Sequence, residues 1–190
     1  WNYLLYSRVV FVKPQTVKHI VLDTRIIETS TGRYMQRLLE NINDHHTDDN
    51  VRYTALVPSQ HVKKWQARLP HITVVAADQK WYSVAEQTSL PWQLLRLKPS
   101  LVHFTMPQQP LLWFGRSVTT LHDTTLLRYD NIDGLWVVYK LKKLVFALLF
   151  RVAIARSKTI ITPTEFVKKD IEQYYHLPPT DRIKAIYEAG

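Results

Sequence analysis

The 190-residue sequence contains no cysteine. Neither a disulfide framework nor a thiolate metal site is open to it, a composition that suits a reducing compartment. No segment reads as a bilayer span: the most apolar stretch, 144–150, is far shorter than the ~20 residues required. The opening residues 1–12 are apolar but lack a small-residue cleavage pattern, so they do not read as a signal peptide. Internal repeats and low-complexity runs are missing, as are a GxGxxG fingerprint and any recognised nucleic-acid module. No set of ligands has zinc-like spacing, so no metal site is expected. Acidic residues are scarce. Sixteen Asp and Glu stand against 25 Lys and Arg, a formal net charge of +9, which asks for an anionic partner: a membrane surface, a phosphorylated small molecule or, as a minor option, nucleic acid. Trp1 and Gly190 read as cut rather than natural ends.

What is present is a regular alternation. Apolar content of 46% is enough for a real core. Mostly apolar runs at 17–23, 51–57, 72–76, 100–104, 118–121, 158–162 and 183–187 read as strands. Between them fall helical patterns: one opening at Gly32, a short one through Trp65 with Ser59 as N-cap, one opened by Pro91, and longer ones at 135–157 and 165–175. The connection 105–116 is too short and proline-rich for a crossover helix. Largely apolar strands alternating with helices predict an α/β fold with a Rossmann-like, doubly wound parallel sheet. Residues 1–16 read as an N-terminal extension or edge strand, and 17–190 as one Rossmann-like domain.

Chemistry-bearing residues gather where strands end. The run Val118 to Leu121 stops at His122 and Asp123, and in open α/β sheets reactive side chains collect at the carboxyl edge of the strands. A histidine satisfied by local hydrogen bonds is the competing reading. Gly32, followed by Arg33, opens a helix after a strand and a loop, an arrangement in which helix N–H groups and dipole favour an anion; the alternative is a glycine needed only for the turn. His103 and Phe104 end the strand before that of His122, so the two histidines approach each other if those strands are neighbours. The long helix carries Lys140, Lys142 and Lys143 and no acid between Gly134 and Thr164. That pattern fits a helix lying on an anionic membrane, or a buried helix with a solvated basic end.

Taken in order, the motifs resemble those of a known family. Val-Leu-Asp-Thr-Arg followed by Thr-Gly-Arg-Tyr-Met-Gln-Arg-Leu-Leu-Glu is similar to the opening of retaining glycosyltransferases of the family 4 type. Ser-Leu-Val-His-Phe-Thr-Met-Pro and Val-Thr-Thr-Leu-His-Asp-Thr-Thr-Leu-Leu-Arg-Tyr resemble the next two signatures. The segment Ile-Ile-Thr-Pro-Thr-Glu-Phe stands where the family usually has Ser-Glu-Phe, and Asp-Arg-Ile-Lys-Ala-Ile-Tyr-Glu-Ala-Gly resembles the last strand before an interdomain linker.

The resemblance implies the N-terminal, acceptor-side half of a two-domain GT-B enzyme, truncated before the donor-binding domain and inactive alone. It implies transfer of a hexose with retention from a nucleotide-sugar to a glycan or lipid-linked acceptor. The donor is a co-substrate, and no cofactor or metal is implied. His122 would sit beside the reacting sugar with Asp123 supporting it. Gly32, Arg33, Thr164 and Glu165 would line the donor-phosphate cleft, and His103, Phe104 and Thr105 the acceptor side. A cytoplasmic location follows, with a peripheral position on the inner face of the membrane as its extension. The competing function is a non-catalytic basic α/β module that docks on membrane or nucleic acid.

Overall fold

The computed structural model describes residues 17–29, 32–45, 48–124, 136–178 and 180–187. The proposed extension 1–16 and the loop 130–134 fall outside the described residues. Seven strands form one sheet: β1 Lys18–Asp23, β2 Val51–Val57, β3 Thr73–Ala76, β4 Leu101–Phe104, β5 Ser117–Thr120, β6 Thr159–Thr162 and β7 Ile183–Ala185. Their order is β3-β2-β1-β4-β5-β6-β7, and every neighbouring pair is parallel. The helices are α1 Arg33–Asp44, α2 Val62–Arg68 (entered by a 3₁₀ turn, Ser59–His61), α3 Val84–Leu97, α4 Trp136–Arg156 and α5 Glu165–Tyr174. This is the predicted Rossmann-like, doubly wound α/β fold.

Right-handed crossovers dictate which face each helix covers. The chain moves in one direction from β1 to β3, so α1 and α2 share a face, and Met35, Leu39 and Trp65, with Leu69 just past α2, pack on Leu22, Ala55 and Val57. It then crosses back and continues the other way, placing α3 on the opposite face, where Leu90 and Leu94 meet Val21, Leu56, Val102 and Phe104. The alternation of Val21 and Leu22, and of Ala55, Leu56 and Val57, between these two clusters is the period-2 signature of strands buried on both sides. Helices α4 and α5 bury Phe146, Phe150, Ala153 and Ile171 against Leu121, Ile160 and Ile183.

Two local expectations fail. Ser59 does not cap with its side chain; its backbone N–H instead donates to Asp78 Oδ1 at 2.8 Å. Pro91 does not open its helix but sits inside α3. Ser83 caps the true start, accepting from the Glu86 N–H at 3.2 Å in a Ser-x-x-Glu pattern. Burial of Leu90, Pro91 and Leu94 outweighs the ~3 kcal/mol that an interior proline costs a helix. The stretch 105–116 contains no helix or strand, as its prolines predict.

Candidate active site at the carboxyl edge

The direction of travel reverses between β1 and β4, and such a switch point leaves a crevice outside the carboxyl ends of the strands. Asp23 and Phe104 are register partners there. The Thr105 hydroxyl donates to the Asp23 carbonyl at 2.5 Å, clasping the two strand ends together. The Thr105 carbonyl in turn accepts from His122 Nε2 at 2.9 Å. A carbonyl oxygen can only accept, so this bond fixes the proton of a neutral His122 on Nε2.

The other support of His122 comes from α1. The Tyr34 ring meets the imidazole edge-on, with centroids 5.2 Å apart and planes at 77°, and its hydroxyl lies 3.3 Å from Thr120 Oγ1. Tyr34 is in the first turn of the helix that Gly32 precedes. The start of α1 and His122 therefore stand together on one rim, although they are ninety positions apart in the chain.

The strands bearing His103 and His122 are neighbours. His103 is buried, with Nε2 2.9 Å from Thr120 Oγ1. Burial, and secondarily the adjacent His122, lowers its pKa to about 4, while Asp23 pulls weakly the other way. His103 is thus neutral at ordinary pH and holds the rim from beneath.

Beside the crevice, Arg25 is clamped in a buried ion triad. Its Nε and Nη2 donate to the two oxygens of Asp23 at 2.8 and 2.9 Å. Nη2 also reaches Glu86 Oε1 at 2.8 Å, and Nη1 reaches the Gln79 carbonyl at 2.6 Å. Burial works against the guanidinium charge, but Asp23 and Glu86 more than offset it, so the Arg25 pKa rises. The triad ties the β1 loop to α3 across 61 positions of sequence. Asp23, Arg25, Trp81, Thr105, Met106 and Gln108 line a small crevice beside it.

The family model described as Glycosyltransferase Family 4 matches residues 35–189. The chain belongs to Glycosyltransferase Family 4. No curated protein matches it. Among solved structures it is similar to a putative short chain dehydrogenase/reductase family oxidoreductase from Aeromonas hydrophila subsp. hydrophila ATCC 7966, at 10% identity over 90% of this chain and 97% of that one, with a TM-score of 0.45. So loose a likeness carries no argument.

Within this family domain the expected site residues fall into three groups. His122 is half-buried and Asp123 exposed at the rim. Arg33 is exposed at the start of α1, and Thr164 with Glu165 stands at the start of α5, beyond the carboxyl end of β6. Two carry structural duties that account for their identity. A Cβ on Gly32 would lie 2.3 Å from the Ile27 carbonyl oxygen, so the turn admits only glycine; its N–H is already used by the Thr29 carbonyl. Thr164 caps α5, accepting from the Val167 N–H at 3.1 Å.

Phe104 requires correction as a residue facing acceptor. It is fully buried in the core beneath α3, because strand alternation turns it away from the face that His103 occupies. Thr105 and His103 are buried too and touch the rim through hydrogen bonds. Lys140 is exposed and Lys143 half-buried on α4; the Lys142 side chain lies outside the described residues. Among the described residues, no three His, Asp or Glu side chains gather as a metal-holding group, and no helix is long and apolar enough to cross a membrane.

The sequence reading missed Tyr34 and the triad. Tyr34 counts as one more apolar position in a helical pattern. The signal for Asp23 and Arg25 was legible, since an apolar strand ends on Asp23 and Arg25 stands two residues further on, but nothing local identifies Glu86 as their partner.

Proposed function

We propose that this domain forms the acceptor side of a retaining, GT-B hexosyltransferase, which moves a sugar from a nucleotide-sugar to a glycan or lipid-linked acceptor at the carboxyl edge described above. The observation that carries the reading is the convergence of His122 with the first turn of α1 at the switch point. A donor diphosphate set against a helix N-terminus and Arg33 meets a positive environment as charge develops on it. Stabilising that departing charge is electrostatic work for fixed dipoles and cations. His122 contacts the reacting sugar by hydrogen bond, with Asp123 beside it, while Thr164 and Glu165 flank the cleft. The family resemblance puts the nucleotide grip on a second lobe, so turnover is expected only from protein carrying both, at the cytoplasmic side of a membrane. A docking module without catalysis would leave the His122 scaffold without a task.

Kinetics of the two-lobed enzyme test this. His122→Ala removes a contact made as the sugar reacts, so kcat should fall about 100-fold with little change in thermal unfolding. Wild-type kcat in that variant removes His122 from the reaction and the proposal with it.

A further inference from the structure

We propose that the layer built from α3, the 105–116 connection and α4 is a docking face for an anionic lipid bilayer. It goes beyond the glycosyl-transfer reading and is testable without turnover.

The three segments share one side of the sheet. Leu90 and Leu94 of α3 and Trp113 of the connection bury in a single cluster with Val102 and Phe104. Thr119 is the register partner of Phe104, and its hydroxyl lies 2.7 Å from Ser157 Oγ, just past α4. Arg156 at the end of α4 packs its guanidinium over the Phe114 ring, 4.7 Å from the centroid, and donates to the Leu111 carbonyl. The connection is thus locked between the two helices.

Charge on this layer is of one sign. Glu86 is the only acidic residue in the three segments, and it is fully buried in the Arg25 triad. Arg96, Arg116, Lys140, Arg151 and Arg156 are exposed. The opposite layer is different: Arg37 and Arg68 pair with Glu40, and Lys64 with Glu28. Among the described residues, the exposed charges of these three segments are therefore all positive. Neighbouring α5, with Glu165, Asp170 and Glu172, marks where the acid-free surface stops.

Apolar side chains stand among these cations. Phe114 is 77% exposed, Leu144 67% and Trp92 59%, with Leu95, Leu112 and Leu148 also open to solvent. Lys140, Leu144, Leu148 and Arg151 are spaced three or four apart and all exposed, so they form one stripe along α4. Arg96 lies over Trp92 at 5.4 Å as Arg156 lies over Phe114. Exposed aromatics under guanidinium groups suit a headgroup boundary, which offers anions to the cation and hydrocarbon to the ring. Nucleic acid would satisfy the cations but leave four leucines against water, and a second copy would oppose like charges. The bilayer matches both halves of the surface.

The test is co-sedimentation of the full chain with vesicles. It should pellet with phosphatidylcholine vesicles containing about one-third phosphatidylglycerol and not with pure phosphatidylcholine. The binding should disappear at about 1 M salt, where the Debye length is about 3 Å. Combining Arg96→Gln, Arg116→Gln and Arg151→Gln should weaken partitioning about 100-fold. Leu112→Ser with Phe114→Ser should weaken it about tenfold or more. Circular dichroism checks that these exposed substitutions leave the fold intact. Equal binding to neutral vesicles, or undiminished binding by either variant, overturns the proposal. So does a salt-sensitive oligonucleotide complex indifferent to the apolar pair, or a dimer that forms through this face and shuts out vesicles.

Discussion

His122 owes its orientation to atoms on two other elements. The Thr105 carbonyl holds Nε2 and the Tyr34 ring meets the imidazole edge-on, with the planes at 77°. Thr105 is in turn tied to the β1 end by its hydroxyl bond to the Asp23 carbonyl. Thr105→Val keeps the shape and deletes that bond, at the net cost of one hydrogen bond, about 1 kcal/mol. We expect a lower urea midpoint of that size and, in the two-lobed enzyme, a kcat loss larger than any change in KM, because the imidazole loosens where the sugar reacts. Thr105→Ser restores the hydroxyl and should restore both. A valine variant with native stability and kcat would show that the clasp positions nothing. At this scale the sequence is half legible. The pair His122-Asp123 announces itself because a β-branched run ends on it. Tyr34 and Thr105 do not, because an aromatic on a helical stripe and a threonine after a strand are common as plain packing and turn residues.

Elements were easier to read than their ends, because periodicity spans many residues and a boundary depends on one or two. The seven strands and the α1, α4 and α5 helices follow the apolar pattern within a residue or two. Pro91 misled because proline usually marks a first turn, whereas the start of α3 is settled by the Ser83 cap and by Glu86 reaching the distant Arg25. Gly32 was legible as a helix opener, but its physical reason needed coordinates: the Ile26 and Ile27 carbonyls fill the place of a side chain. Its φ of −73° is ordinary, so crowding and not handedness excludes other residues. Gly32→Ala must push the loop 24–29 away from α1, and overpacking of this kind costs about 2–3 kcal/mol. Chemical denaturation should report that loss, and Gly32→Ser should fare no better. An alanine variant of native stability would mean that the loop yields freely.

For the molecule as a whole, burying neutral imidazoles, one under the rim and one at the amino end of β1, makes stability depend on pH. His103 is the main contributor. Its pKa in the fold is about 4 against an ordinary 6.5, first through burial and then through His122 nearby, with Asp23 opposing. His19, on the other strand flanking the switch point, is lowered too, by burial and then by Arg52, against a raising bond to the Leu97 carbonyl. The unfolded chain therefore takes up protons at a pH where the folded chain refuses them, and stability is present in full above about 6.5 and drains away as pH falls through about 4. At about 1.4 kcal/mol per pH unit, the His103 contribution reaches about 3 kcal/mol, a sizeable part of the 5–15 kcal/mol typical of a domain. Urea midpoints measured between about pH 7.5 and about pH 4 should decline steeply for the native chain. His103→Gln keeps a hydrogen-bonding group beside Thr120 and removes the titration, so its decline should be shallower, with His19 supplying much of the remainder. Parallel curves for the two proteins would remove His103 as the source of the pH sensitivity.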